Sequence, residues 1–443
     1  MSDSWLWLSA ADLGRGIARG EIDPIALTET YLAAIDAHPA RDTIYARTTG
    51  ARARAEAAAA ARRARLGTRR GPLDGVPISW KDLFDSAGTA TEAGSRLLAG
   101  RVPQGDAVVL ANATRAGLVC LGKTHMSELA FSGLGINPMA ATSPNVHEAG
   151  RAPGGSSSGA AASVAFGLAA AGIGSDTGGS VRIPSAWNGL VGLKTTPGLL
   201  SLNGVVPLAP QFDTVGPLCR SVEDAALLLT ALGGGPAVDL HQPTIAGRHF
   251  LVAEDLLAEA EPTILAAFED TCARLRDAGA LISAAAMPEI AAALAAAGPT
   301  VTGETYGVWH TAIEAAPDQM FARIRDRFRL GAEVSATAYV GGQRVLAEAA
   351  RGMEARLTGV SAILAPTTPN LPPEIAVVEA DADRFVAENL LALRNTRIAN
   401  LLGLASLTVP TPTRWAGFML IGGAGAEARL LCLGAAIEPL MVA

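Results

Sequence analysis

Two Gly/Ser-rich clusters, APGGSSSGAAAS (152–163) and GSDTGGSVRIPSAW (174–187), place several small hydroxyl side chains where the backbone can turn sharply. A serine hydroxyl attacks a carbonyl only when a neighbouring base takes its proton, so each cluster needs a partner. A phosphate loop requires GxxxxGK followed by Ser or Thr, and neither cluster supplies that lysine. A nucleophile elbow of the GxSxG type matches Gly155-Ser156-Ser157-Ser158-Gly159, with Ser157 as nucleophile. That elbow should follow a strand, whereas an Arg-Ala-Pro loop precedes it here. It also needs a later acid and histidine, and only His241, His249 and His310 are available. A third arrangement joins both clusters to Lys81. Lysine acts as a base only when neutral, so its ordinary pKa of about 10.4 must be lowered by burial. Lys81 follows Val76, Ile78 and Trp80, an apolar run consistent with a desolvated site. Taken alone, a lysine at a strand end is ordinarily a surface residue.

GPLDGVPISWKDLFDSAG (71–88), GKTHMSELAFSGLGINP (122–138), PGGSSSGAAASVA (153–165) and GSDTGGSVRIPSAWNGLVGLKTTPG (174–198) resemble, in this order, the motifs of the amidase signature family. FDTVGPLCRSVEDAALLL (212–229), ILAPTTP (363–369) and RNTRIANLLGLASLTVP (394–410) extend the resemblance over most of the chain apart from a stretch near 255–355. It implies the α/β amidase signature fold, a mixed and mostly parallel central sheet with helices on both faces. Residues 1–443 would form one domain carrying a variable helical insertion at about 255–355. It also implies that Ser180 is the nucleophile, Lys81 the base and Ser156 the bridge between them. A hydroxyl both donates and accepts, so Ser156 can take a proton from Ser180 while passing its own to Lys81. In the family a cis peptide enters the bridging serine, and backbone N–H groups of the turn, here Thr177, Gly178, Gly179 and Ser180, form the oxyanion hole. Asp176 would hold that turn and Arg182 would sit in a buried ion pair.

The activity implied is hydrolysis of a carboxamide by a free-standing bacterial-type amidase, through an acyl-enzyme, with release of ammonia or an amine. The A subunit of a tRNA-dependent amidotransferase shares the core, but RDRFRLGAEVSATAYVGGQRVL lacks the GT…LS-type stretch associated with that protein. An allophanate- or biuret-type hydrolase is a further alternative. A non-enzymatic binding protein would be expected to have lost one of the three residues, and all are present.

The elements that must position these residues alternate between helical and extended patterns. Ser9 with Asp12, and Asp23 with Pro24, mark the starts of two short helices, and an Ala-rich helix follows. Strands are predicted at 76–80, 118–122, 171–176, 249–255, 362–367, 406–410 and 415–422. Helices are predicted at 106–117, 160–170, 261–279, 383–403 and 426–438, with a linker at 233–243. Such alternation argues for an α/β fold. The uncharged run from Ala152 to Ser175 is too rich in Gly, Ala and Ser for a membrane span and reads as a loop and a buried helix.

Composition narrows the function classes. A net charge of −7 argues against a nucleic-acid partner, and the basic stretch at 51–70 reads as a solvated helix. Cys120, Cys219, Cys272 and Cys432 lie far apart without metal spacing, as reduced cysteines of a cytoplasmic protein would. No basic region precedes an apolar one at the N-terminus, so no signal peptide is expected. The expected partner is a small amide, with no metal, cofactor or membrane; a homodimer is compatible with the resemblance.

Overall fold

The computed structural model describes residues 3–241 and 243–441, so Met1, Ser2 and Gln242 of the stretches read above lie outside the described residues. Eleven strands form one sheet: β1 (Tyr45–Thr48), β2 (Pro77–Lys81), β3 (Val119–Thr124), β4 (Ala171–Asp176), β5 (Val191–Lys194), β6 (Thr214–Cys219), β7 (His249–Ala253), β8 (Leu281–Ala285), β9 (Ala362–Pro366), β10 (Ala405–Pro410) and β11 (Gly417–Gly422). Their order across the sheet is β1-β3-β2-β4-β6-β5-β10-β11-β9-β7-β8. Every residue of β2, β3, β4, β9 and β11 is buried, which is why these strands read as apolar runs rather than alternating ones.

The fold is α/β and the sheet is mixed. Parallel pairing joins β3, β2 and β4 on one flank and β9, β7 and β8 on the other. Between them the pairings β4-β6, β6-β5, β5-β10, β10-β11 and β11-β9 run antiparallel, as does β1 on β3. The antiparallel centre depends on β5 (VGLK) and β6 (TVGPLC), whose length and Gly/Pro content hid them in the sequence. The segment near 255–355 carries the long helices Pro288–Ala315 and Ala336–Arg356 and also β8. This edge strand is largely exposed, so it lacks the apolar signal of the others.

Local signals placed the flanking helices well. Ser9 Oγ accepts from Asp12 N at 3.0 Å, and Asp23 accepts from Ile25 and Ala26 at the start of helix Pro24–Ala37. The Ala-rich helix Gly50–Arg65 buries Ala53, Ala57, Ala60 and Ala61 on one face, and Arg52, Arg54 and Arg63 pair with Asp106, Glu29 and Asp74. Three of the helix's five arginines are therefore answered by acids within the chain. The uncharged run becomes a loop, the short buried helix Ser158–Ala165 and then β4. Among the described residues no helix is long and apolar enough to cross a membrane.

Tight backbone contact inside the sheet is absolute at Gly216 of β6, where an added Cβ would lie 1.9 Å from Leu193 O. Gly216→Ala is expected to lower unfolding free energy in urea by about 1–3 kcal/mol, through forced backbone shifts. Gly71→Ala, where a Cβ meets nothing within 4 Å, should change it by less than about 0.5 kcal/mol. Equal effects at the two sites would refute this account of the sheet centre.

Candidate active site

Lys81 ends β2, and its side chain is fully buried. Trp80 lies opposite Ile173 of β4, which carries Lys81 forward to the level of Gly174 and Ser175. Lys81 Nζ donates to Ser156 Oγ at 2.7 Å and to Ser175 Oγ at 2.8 Å. Burial pushes its pKa down to about 7, against the opposing pull of Asp176 and Asp213. The lysine is thus no surface residue, and it is half-neutral near physiological pH.

Ser156 follows a cis peptide from Gly155. Its loop is held by the segment 122–138: Gly155 N donates to Gly133 O at 2.7 Å, and Ser127 N donates to Ser156 O at 3.1 Å. Among the described residues Ser180 joins the pair through backbone, Ser157 N to Ser180 O at 3.2 Å, and not through a bond between the two hydroxyls. The three residues thus lie together, with no hydrogen bond between the hydroxyls of Ser156 and Ser180 among the described residues.

The turn carrying Ser180 wraps around Asp176. Asp176 Oδ1 accepts from Gly179 N at 2.8 Å, and Oδ2 accepts from Val181 N at 3.0 Å. Arg182 Nη2 and Nε complete the carboxylate's shell at 2.9 and 3.1 Å, both side chains being wholly buried. The scaffold roles expected for Asp176 and Arg182 are therefore what the structure contains. Gly179 has φ +138°, and a Cβ there would lie 2.1 Å from Thr396 Oγ1, so only glycine fits. Its amide is engaged by Asp176, whereas those of Gly178 and Ser180 meet no protein acceptor among the described residues.

Four contributors to this turn were not picked out in the sequence. Ser175 is the second acceptor of Lys81; it stands in the motif 174–198, beside Asp176 at the end of a strand. Asn400 donates to Asp176 O and Oδ1 at 3.0 and 2.9 Å and accepts from Arg182 at 2.7 Å. Thr396 donates to Gly178 O at 2.7 Å. Asp213 accepts from Thr177 Oγ1 at 2.5 Å and from the amides of Leu208 and Ala209, and burial raises its pKa.

The elbow arrangement does not assemble. Ser157 is fully buried with its hydroxyl on Ser175 O, His249 bonds Ser283, and His310 bonds Gly307 and Thr311 near itself on its own helix. In front of Ser180 lies a cavity of about 270 Å³. Thr177 and Gly178 lie beside the serine, Ala130, Phe131 and Ser132 form one wall, and Ala297, Gly298, Val301 and Thr302 of helix Pro288–Ala315 form another. Arg327 and Arg397 also face it. Among the described residues no three His, Cys, Asp or Glu side chains cluster as metal ligands would.

Residues 26–431 match the family model described as Amidase. The chain is 34% identical over 454 residues to 2-amino-5-chloromuconic acid deaminase of Comamonas testosteroni, covering 98% of this chain and 96% of that protein. It is 32% identical over 467 residues to the A subunit of the glutamyl-tRNA(Gln) amidotransferase of Chloroflexus aurantiacus (strain ATCC 29366 / DSM 635 / J-10-fl), covering 96% and 94%. The native peptide amidase from Stenotrophomonas maltophilia superposes with a TM-score of 0.84 at 28% identity, over 99% of this chain and 98% of that one. With the motifs in order, the sheet in common and the matched region spanning nearly the whole chain, the protein belongs to the amidase family and is an amidohydrolase.

Proposed function

We propose that this chain hydrolyses the C–N bond of a small carboxamide through an acyl-enzyme on Ser180, with Lys81 as base acting through Ser156. The observation that carries this reading is Lys81 itself: a wholly buried amine, with its pKa near 7, bonded to the hydroxyl of Ser156. When neutral, the amine accepts the Ser156 proton while still donating to Ser175. Ser156 Oγ then takes the proton of Ser180 as Ser180 Oγ bonds to the carbonyl carbon. The open hydroxyl link closes as substrate settles, since such bonds commonly tighten only in the complex.

The carbonyl oxygen becomes an oxyanion, which the free amides of Gly178 and Ser180 stabilise. The amide of Gly179, already on Asp176, holds the turn that aims them. Collapse breaks the C–N bond, and the proton held by Lys81 returns through Ser156 to the departing ammonia or amine. Water then repeats the sequence on the acyl-enzyme and releases the acid. No step calls on a cofactor or a second protein, and the unpaired state of all four cysteines fits a cytoplasmic enzyme. The amidotransferase relative's kind of protein would instead deliver its ammonia to a partner, and turnover of amides by the isolated chain separates the two.

Ser180→Ala is expected to lower kcat/KM by at least about three orders of magnitude with unchanged thermal unfolding. A fluorophosphonate should leave its adduct on the peptide containing Ser180, read by mass spectrometry. An adduct within 153–163 would remove Ser180 as nucleophile.

The pH dependence follows from Lys81. Protonated below about pH 7, it cannot act as base, so kcat/KM should rise as pH passes through about 7 and level off above. Lys81→Ala should cost about 10²–10⁴-fold and abolish that limb. A wild-type rate that peaks at acid pH would exclude a lysine base.

A further inference from the structure

Two guanidinium groups line the cavity in front of Ser180 without a carboxylate partner. Arg327, near the end of helix Ala322–Arg329, donates to Phe131 O at 2.8 Å, with its Cζ 4.1 Å from the Phe131 ring centre. Arg397 donates to Leu393 O at 3.1 Å and to Leu390 O at 2.9 Å. Neither forms an ion pair among the described residues, and no lining residue of the cavity is acidic. Several other arginines drawn out of water meet a carboxylate: Arg52 meets Asp106, Arg63 meets Asp74, Arg182 meets Asp176 and Arg394 meets Glu259. Arg220 is a useful contrast. It too lacks an acid, yet its guanidinium is taken up by the carbonyls of Leu6, Leu8, Val164, Ala169 and Ala170. Each guanidinium has five N–H donors, so Arg327 and Arg397 keep most of theirs unused.

We propose that this cavity is built for an anionic amide, whose carboxylate sits between Arg327 and Arg397 while its carboxamide meets Ser180. The proposal rests on the reading of Ser180 as nucleophile and adds the substrate class. Two like charges near one another, half-removed from water and facing the same space, are costly alone and favourable once a carboxylate arrives. Burial, then repulsion from Arg397, pushes the Arg327 pKa down to about 9, while burial and Arg394 push Arg397 down to about 10. Both remain charged at neutral pH. The volume, about 270 Å³, lies just below that of pockets that hold drug-sized ligands and suits a small substrate. Leu208, Val301, Leu390, Leu393 and Leu401 line the remaining surface and suit an apolar spacer between the two polar ends. Half-amides of short dicarboxylic acids have this form.

The test compares succinamate and glutaramate with the uncharged amides butyramide and valeramide on the full chain. kcat/KM should favour the half-amides by at least about a hundredfold, and Arg327→Gln or Arg397→Gln should each reduce that preference at least about tenfold. Arg397→Lys, which keeps the charge, should retain more of it than Arg397→Gln. Equal turnover of charged and uncharged amides, or a preference indifferent to both arginines, overturns the proposal. Binding separates this from the catalytic reading. Succinate or glutarate should bind the Ser180→Ala protein in calorimetry and fail to bind the Arg397→Gln protein. Dicarboxylates that bind neither wild type nor Ser180→Ala overturn the anion site while leaving Ser180 chemistry standing. Turnover by Ser180→Ala, with dicarboxylate binding intact, overturns the nucleophile and keeps the anion site. Because Arg327 also supports Phe131, Val301→Glu serves if that variant does not fold. A carboxylate on the cavity wall should weaken glutarate binding at least about tenfold, and unchanged binding counts against the site.

Discussion

The ion pair of Asp176 and Arg182 is the constraint on which the site depends, because it does two jobs that would otherwise conflict. The turn presenting Ser180 needs an acceptor at its centre for the amides of Gly179 and Val181, and a carboxylate gathers both. An unpaired carboxylate there would hold Lys81 in its charged form, since Asp176 and Asp213 both pull its pKa upward. Arg182 and Asn400 saturate Asp176, while Thr177 and two backbone amides cap Asp213. With these fields answered locally, desolvation dominates at Lys81 and its pKa falls. A buried ion pair is weak evidence for stability. Here its consequence is electrostatic, a basic amine kept beside two acids.

The choice between lysine and arginine carries the same logic across the chain. Of 35 basic residues only Lys81, Lys123 and Lys194 are lysines, and all three are fully buried. Arginine cannot give up its proton near neutral pH, so it suits the surface pairs, the Asp176 clamp and the cavity's unpaired guanidiniums. Lys123 meets Asp82 at 3.1 Å and Thr91 at 2.9 Å, and Lys194 donates to the carbonyls of Thr195 and Leu404. Of the three, only Lys81 donates to two serine hydroxyls. The rarity of lysine in an arginine-rich chain was itself a readable sign of interior roles, against the ordinary expectation of an exposed strand end.

What could be read ahead of the structure follows how local each determinant is. Capping at Ser9 and Asp23 and the apolar runs of β2, β3, β4, β7, β9, β10 and β11 depend on neighbours in sequence, and they were legible. β1, β5, β6 and β8 were not. They are short or carry Gly and Pro, or lie exposed at an edge, and become strands because partners flank them. The site divides the same way. Lys81, Ser156 and Ser180 stand in motifs with family resemblance, as do Asp176 and Arg182. Ser175, Asp213, Thr396 and Asn400 lie in the same family-like motifs, but they act through contacts formed only when distant segments meet, and no spacing announces those contacts. The engagement of the Gly179 amide by Asp176 was likewise invisible, because it depends on the conformation of one turn.

The architecture separates chemistry from recognition. Lys81, Ser156, Ser175 and Ser180 stand on β2, β4 and the two loops beside them, all within residues 77–182, and β2 is pinned by sheet pairing on both sides. One wall of the cavity comes from helix Pro288–Ala315, which holds Pro299 inside its length. Proline removes a backbone donor and bends a helix. Thr300 and Thr302 bond back to the carbonyls of Ala296 and Gly298 at 2.7 and 2.8 Å around that point. Four cavity residues, Ala297, Gly298, Val301 and Thr302, lie within three residues of Pro299 on either side. Arg327 comes from the next helix, whereas Arg397 opens the short helix whose Asn400 also grips Asp176. The cavity's two guanidiniums are thus shared between helix Ala322–Arg329 and a helix bound to the turn of Ser180. Changes in the second also disturb the turn that carries Ser180, because Asn400 and Thr396 hold it.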